Sequence, residues 1–136
     1  MLLAPYLAFN GKCKAAFEFY AKALGGQIVM IMTKGESPMA GQTPPDQKGH
    51  IMHAAMKVGD YMLEGSDAPP EHYRKPQGFS VALDIKEPAE AERVFKALTE
   101  NGTVQMPMQE TFWAQRFGML IDQFDIPWMV NCSKPM

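Results

Sequence analysis

Apolar positions along this chain follow two periods, and the switch between them occurs twice in the same order. Cys13, Phe17, Tyr20 and Leu24 fall at i, i+4, i+7 and i+11, one face of a helix over about residues 12 to 24. Gly25-Gly26 ends it, because glycine takes the left-handed conformation at little cost. A second helix is predicted over about 88 to 100, with Pro88 in its first turn and Ala91, Val94, Phe95 and Leu98 as its apolar stripe. Asn101-Gly102 closes it.

Strand-like segments flank each helix. Leu3 to Phe9 precedes the first, and Gln27 to Thr33, Ile51 to Val58 and Tyr61 to Ser66 follow it. Phe79 to Ile85 precedes the second, and Thr103 to Met108, Arg116 to Ile121 and Pro127 to Cys132 follow it. The order is β-α-β-β-β, twice, a repeat carried by pattern and not by sequence identity. The predicted class is therefore α+β, with a first module over 1–66, a linker over 67–78 containing Pro69, Pro70 and Pro76, and a second module over 79–136, together one domain. Lys34 to Gly49 shows no periodicity and reads as a long loop of the kind used for binding or as a lid. In each module the helix covers one face of the sheet, and the bare faces must meet something. Two curled sheets enclosing a cleft would satisfy them, as would a second chain, so a homodimer is expected, with modules pairing within or between chains.

Alternation maps the bare face of the first sheet. Met52, Ala54, Met56 and Val58 form the set facing the helix, leaving Ile51, His53, Ala55 and Lys57 on the open side. With Gly59-Asp60 as a two-residue turn, Lys57 pairs with Met62, Ala55 with Glu64 and His53 with Ser66. His53 and Glu64 become diagonal neighbours, an arrangement that suits acid/base chemistry or simply a hydrogen-bonded strand histidine. The same counting in the second module pairs Ile121 with Ile126, Arg116 with Asn131 and Gly118 with Met129. Arg116 could hold an anionic group of a ligand or join a surface salt bridge. Trp113 follows Glu110-Thr111 in a loop and is a candidate pocket wall, whereas Trp128 alternates inward as core. Asp122 shapes the turn before the last strand, and Asp125 there can take the left-handed conformation.

Composition narrows the function. Over 136 residues the net charge is −2 and basic residues are scattered, so no nucleic-acid or anionic-membrane surface is expected. No apolar run reaches the ~18 residues of a membrane helix, and the start of the chain lacks the basic segment of a signal peptide. Two cysteines, Cys13 and Cys132, form no CxxC and flank no histidine. They read as small buried hydrophobes in a reducing cytoplasm. The 12 methionines suit either core or an adaptable pocket.

The segments Pro5-Tyr6-Leu7-Ala8-Phe9, Ala16-Phe17-Glu18-Phe19-Tyr20 and Leu24-Gly25-Gly26 resemble the opening of PhnB-like proteins. His53-Ala54-Ala55 with Gly59-Asp60 fits the same pattern. The most specific match is Glu110-Thr111-Phe112-Trp113-Ala114, with Phe117-Gly118, Asp122, Phe124 and Pro127-Trp128-Met129. The chain is thus similar, over nearly its whole length, to a branch of the vicinal oxygen chelate (glyoxalase/bleomycin-resistance/dioxygenase) superfamily whose members carry labels such as 3-demethylubiquinone-9 3-methyltransferase. The resemblance implies the paired βαβββ fold. No glycine-rich βα turn that would cradle a nucleotide-like cofactor accompanies it.

Metal-dependent members of that superfamily place His, Glu or Gln ligands at four points, which the resemblance carries to Pro5, His53, the neighbourhood of Ser80, and Met129. His53 alone offers a strong ligand, so no metal ligands and no cofactor are assigned, a divalent ion being the alternative. The ligand-binding candidates are His53, Glu64, Ser80, Trp113, Arg116, Met129 and Asn131, with His53 and Glu64 as the catalytic candidates. The expected function is binding of a small organic ligand in the cleft without a complete metal site. Competing readings are a metal-dependent glyoxalase or dioxygenase, a drug-sequestering protein of the bleomycin-resistance type, and an interaction module. Whether any reaction occurs is left open, because a scaffold does not dictate a chemistry.

Overall fold

The structure, a computed structural model, describes residues 1–135. It divides into two compact units, the first ending at Arg74 and the second beginning at Lys75.

The first unit runs β1 (Tyr6–Phe9), α1 (Cys13–Leu24), β2 (Gln27–Thr33), β3 (Ile51–Val58) and β4 (Tyr61–Asp67). Its sheet has the order β1-β4-β3-β2, with β1 parallel to β4 and the other pairs antiparallel. α1 buries Cys13, Phe17 and Tyr20 of the stripe read from the sequence, together with Ala16 and Ala23, while Leu24 at its end is half-buried. Phe9, Phe17 and Tyr20 pack ring to ring at centroid separations of 6.2 to 6.5 Å. Each fully buried aromatic or large aliphatic side chain here contributes roughly 1.5–3 kcal/mol of transfer free energy. Gly25 ends the helix at φ 67°, its N–H donating to the carbonyl of Ala21. Gly65 on β4 lets the layers close: a Cβ there would stand 2.7 Å from the Leu7 carbonyl oxygen and 3.0 Å from the Phe17 ring.

The second unit repeats the plan: β5 (Val81–Asp84), α2 (Pro88–Leu98), β6 (Thr103–Gln109), β7 (Ala114–Ile121) and β8 (Pro127–Ser133), in the sheet order β5-β8-β7-β6. α2 buries Ala91, Val94, Phe95 and Leu98, as its periodicity requires. The chain turns out of it through Asn101 at φ 58°. Trp128 is core, 1% exposed.

Five expectations are corrected. The first strand starts at Tyr6, not Leu3, which is 92% exposed, and β5 starts at Val81, not Phe79. Ile51 is buried and not on the open face. Pairing passes from Met32–His53 to Thr33–Ile51, so Met52 is an extra residue and alternation breaks. Asp67, read as the first linker residue, is the last residue of β4 and is 4% exposed. In the β7–β8 hairpin, Ile121 pairs with Pro127, not Ile126. Arg116 therefore stands opposite Cys132, and Gly118 opposite Val130. The added loop residue is held by the Asp122 carboxylate, which accepts from the N–H groups of Phe124 (2.7 Å) and Ile126 (3.0 Å) and from Trp128 Nε1 (2.8 Å). Asp125 completes the turn at φ 71°. The 34–49 segment, read as a loop, contains three single-turn 3-10 helices, the first closed by a capping box between Thr33 and Glu36.

Candidate functional site

In the first unit α1 occupies one face of the sheet, the side of Leu7, Phe9, Ala54, Met56 and Leu63. Alternation puts Tyr6, His53, Ala55 and Glu64 on the other face. The two-residue turn at Gly59-Asp60 sets the register Lys57–Met62 and Ala55–Glu64, as expected from the sequence. On its other side Glu64 pairs with Tyr6 of the parallel strand β1. Three strands thus bring three functional side chains to one place. His53 Nε2 lies 3.5 Å from Glu64 Oε1, and His53 Nδ1 lies 3.3 Å from the Tyr6 hydroxyl oxygen. The Tyr6 and His53 rings stack at 5.8 Å with 29° between their planes. The side chains of His53 and Glu64 are 32% and 24% exposed, wet enough to meet a solute and dry enough to hold a geometry.

Tyr6 was not among the sequence candidates. Its signal was present in the alternation of Tyr6-Leu7-Ala8-Phe9, which turns Tyr6 away from the helix. Its proximity to His53 depends on β1 pairing with β4 across 58 residues of sequence, which local pattern does not show.

The second unit gathers a different group. Trp113 Nε1 donates to Asn131 Oδ1 at 3.0 Å, and the Trp113 ring contacts those of Phe112 and Phe117 at 4.8 and 5.2 Å. Asn131 Nδ2 donates in turn to Ser133 Oγ at 3.1 Å. Met129 pairs with Met119 and Ala82, two residues from Asn131 on the same face. Arg116 is not part of this group. It reaches the α2 side, donating to Glu92 Oε1 at 2.5 Å and to the carbonyl of Met108 at 3.1 Å. Ser80 precedes β5, half-buried. Glu110 forms an exposed ion pair with Lys134 at 3.2 Å.

Both cysteines are free and buried. Burial, with the Asp67 charge second, pushes the Cys13 thiol up from 9.0 to about 12. Burial also raises Cys132, with Asp84 and Glu87 adding to the effect. Because the thiolate is the nucleophile, neither cysteine should react with Ellman's reagent at pH 8 in the folded protein, and both should react in urea. Rapid release of the chromophore without denaturant would contradict this. The folded state holds the Cys13 proton more tightly than the unfolded chain does. That contribution to stability is complete below about pH 9 and is lost as pH rises towards 12.

Among the described residues, no three of His, Cys, Asp and Glu come together in a group able to hold a metal ion. No helix among them is long and apolar enough to cross a membrane.

Comparison with known proteins gives a consistent picture. A family model described as 3-demethylubiquinone-9 3-methyltransferase matches residues 2–131. Protein YjdN of Escherichia coli K12 is 35% identical over 144 residues, covering 98% of this chain and 97% of YjdN. The crystal structure of protein PA1353 from Pseudomonas aeruginosa is 45% identical and superposes with a TM-score of 0.91 over 99% of both chains. A PhnB protein from Bacillus cereus shares 21% identity at a TM-score of 0.83, covering 98% of this chain and all of that one. The fold alone extends to the fosfomycin resistance protein FosX of Mesorhizobium loti, with a TM-score of 0.64 at 9% identity over 98% and 92% of the two chains.

Proposed function

Starting from a chain that belongs to the 3-demethylubiquinone-9 3-methyltransferase family of PhnB-like proteins, we propose that it binds a small organic ligand without a complete metal site. The ligand sits on the face of the first sheet opposite α1, at Tyr6, His53 and Glu64. The observation that carries this reading is the contact of His53 with both Tyr6 and Glu64 on a part-exposed sheet face. A proton donor, an imidazole and a carboxylate then lie within one small area bordered by Ala55, a side chain too small to cover them.

A divalent ion fits the donor set poorly. Such a site needs about three protein ligands of matched chemistry. Pro5 has no ligand atom, Met129 offers a soft thioether and Ser80 a neutral hydroxyl, while His53 and Glu64 are already paired. Metal analysis of protein purified without chelator should find nickel, zinc, iron and manganese each well below one ion per chain. Untargeted mass spectrometry of an organic extract should find a small molecule that is depleted in His53→Ala and Glu64→Gln preparations. A stoichiometric metal lost on His53→Ala would replace this reading with a metal-dependent one. An extract identical for all three proteins would remove the site.

The same reading takes the protein to be a cytoplasmic homodimer. A reducing compartment suits two buried free thiols. The edge strand β2 exposes Val29, Met30 and Ile31 beside unpaired backbone groups, a surface prone to pairing with a second copy. Light scattering at micromolar concentration should return twice the chain mass. The single-chain mass would refute the dimer.

A further inference from the structure

We propose that Tyr6, His53 and Glu64 form a relay that makes the Tyr6 oxygen a reactive base and nucleophile, so that the site transfers protons without a metal. This inference rests on the reading of the same face as the ligand site.

The direction of the relay follows from hydrogen-bond valence. An ionised carboxylate only accepts, so the ion-pair contact of Glu64 Oε1 with His53 Nε2 at 3.5 Å favours the tautomer with the proton on Nε2. In a neutral imidazole the other nitrogen is then an acceptor. His53 Nδ1 faces the Tyr6 hydroxyl at 3.3 Å, so the phenol O–H is the donor. Glu64 positions the ring and balances the imidazolium that forms when Nδ1 takes the phenol proton. This is the arrangement of an activated nucleophile: an acidic group on a base that is itself oriented by a third group. Contacts of 3.3 and 3.5 Å are of the looser kind found in such sites before a ligand tightens them. The backbone enforces the arrangement, because Tyr6 and Glu64 are register partners on adjacent parallel strands. The ring stacking at 5.8 Å fixes the orientation of the imidazole.

The consequence for chemistry is a ligand class. A base of this kind removes a proton from a ligand hydroxyl or from a carbon acid beside a carbonyl, and it can return that proton to a neighbouring atom. Tyr6 is 54% exposed, so its oxygen is open to such a molecule.

The chain carries its own control. Tyr61 is 78% exposed, and among the described residues its phenol has no hydrogen-bond or ring partner. Accessibility alone would make Tyr61 the faster to react with an aryl sulfonyl fluoride. In that reaction the phenol oxygen attacks sulfur, the S–F bond breaks and fluoride leaves. For Tyr6 the proton passes to His53 Nδ1. Peptide mass spectrometry after a timed exposure should find Tyr6 modified faster than Tyr61. His53→Ala should slow Tyr6 at least ~10-fold, a threshold set below the roughly 10²–10⁴-fold of general-base effects, with Tyr61 unchanged. Glu64→Gln should slow it by a smaller factor, and far-UV circular dichroism should show both variants folded. Labelling that follows exposure, or a Tyr6 rate indifferent to His53→Ala, would overturn the relay. Either result would leave ligand binding to be judged by extraction alone, since the probe reaction requires no natural ligand.

Discussion

Replacing Asp122 with alanine is expected to remove about 3–5 kcal/mol of stability, as much as truncating a large core side chain. The Asp122 residue is 3% exposed, and its carboxylate receives the N–H groups of Phe124 and Ile126 and the indole N–H of Trp128. Truncation removes the Asp122 acceptor from all three donors, two of them on buried residues, and a buried donor that loses its acceptor costs about 1–3 kcal/mol. The sum is below a simple total because the loop can relax towards water. The loop also determines the β7–β8 register, since its fifth residue is accommodated only while Asp122 holds both Phe124 and Ile126. Against a total stability of about 5–15 kcal/mol for a domain, urea unfolding should show a midpoint lowered by about a fifth or more. Asp122→Asn should fall between, because a carboxamide accepts through one oxygen only. A loss under about 1 kcal/mol would show that water replaces the carboxylate at no penalty.

Asp67→Ala is expected to cost about 2–4 kcal/mol and to weaken the candidate site as well. Asp67 is 4% exposed; its Oδ1 accepts from the Cys13 N–H at 3.0 Å and its Oδ2 from the Ile51 N–H at 2.8 Å. The first contact serves the start of α1, where the residue ahead of the helix, Lys12, supplies no side-chain cap. A carboxylate there also meets the positive end of the helix dipole. The second contact pins the start of β3 two residues before His53. One side chain therefore ties together the helix, the strand that carries His53 and the strand that carries Glu64. Thermal unfolding should drop by about 10 °C or more, in line with the 4–8 °C per kcal/mol of a small domain. Sulfonyl fluoride labelling of Tyr6 should slow in parallel as the His53 ring loses its position. An unchanged melting temperature would show that Cys13 and Ile51 find other acceptors.

Asp67 and Arg116 share one property: each acts through a partner far along the chain. Asp67 stands beside prolines and glycines and looks like the start of a linker, yet its partners lie 54 and 16 residues away. Arg116, which the sequence offers either to a ligand anion or to a surface salt bridge, is engaged by Glu92, 24 residues earlier on α2. In the second hairpin a five-residue loop and a four-residue loop have the same local pattern, so counting from the sequence places the register one residue off. The carboxylate of Asp122 and the left-handed Asp125 decide between them. The first hairpin was legible because a two-residue turn at Gly59-Asp60 admits a single register, which placed Glu64 opposite Ala55 and near His53.

The sequence by itself determined the two helices and their buried stripes, the eight strands in their repeated order, the inward turn of Trp128 and the burial of both thiols. These follow from periodicity and turn chemistry, which act over a few residues and leave a local trace. The resemblance in its motifs, borne out by the match over residues 2–131, added the family. Tertiary structure alone decided that Tyr6 joins His53 and Glu64, that Asp67 is a buried anchor, that Arg116 belongs to the helix layer and that Trp113 is held by Asn131. Each depends on which strands become neighbours and in what register. That is settled by burial summed over a whole sheet, a quantity no short stretch of sequence contains.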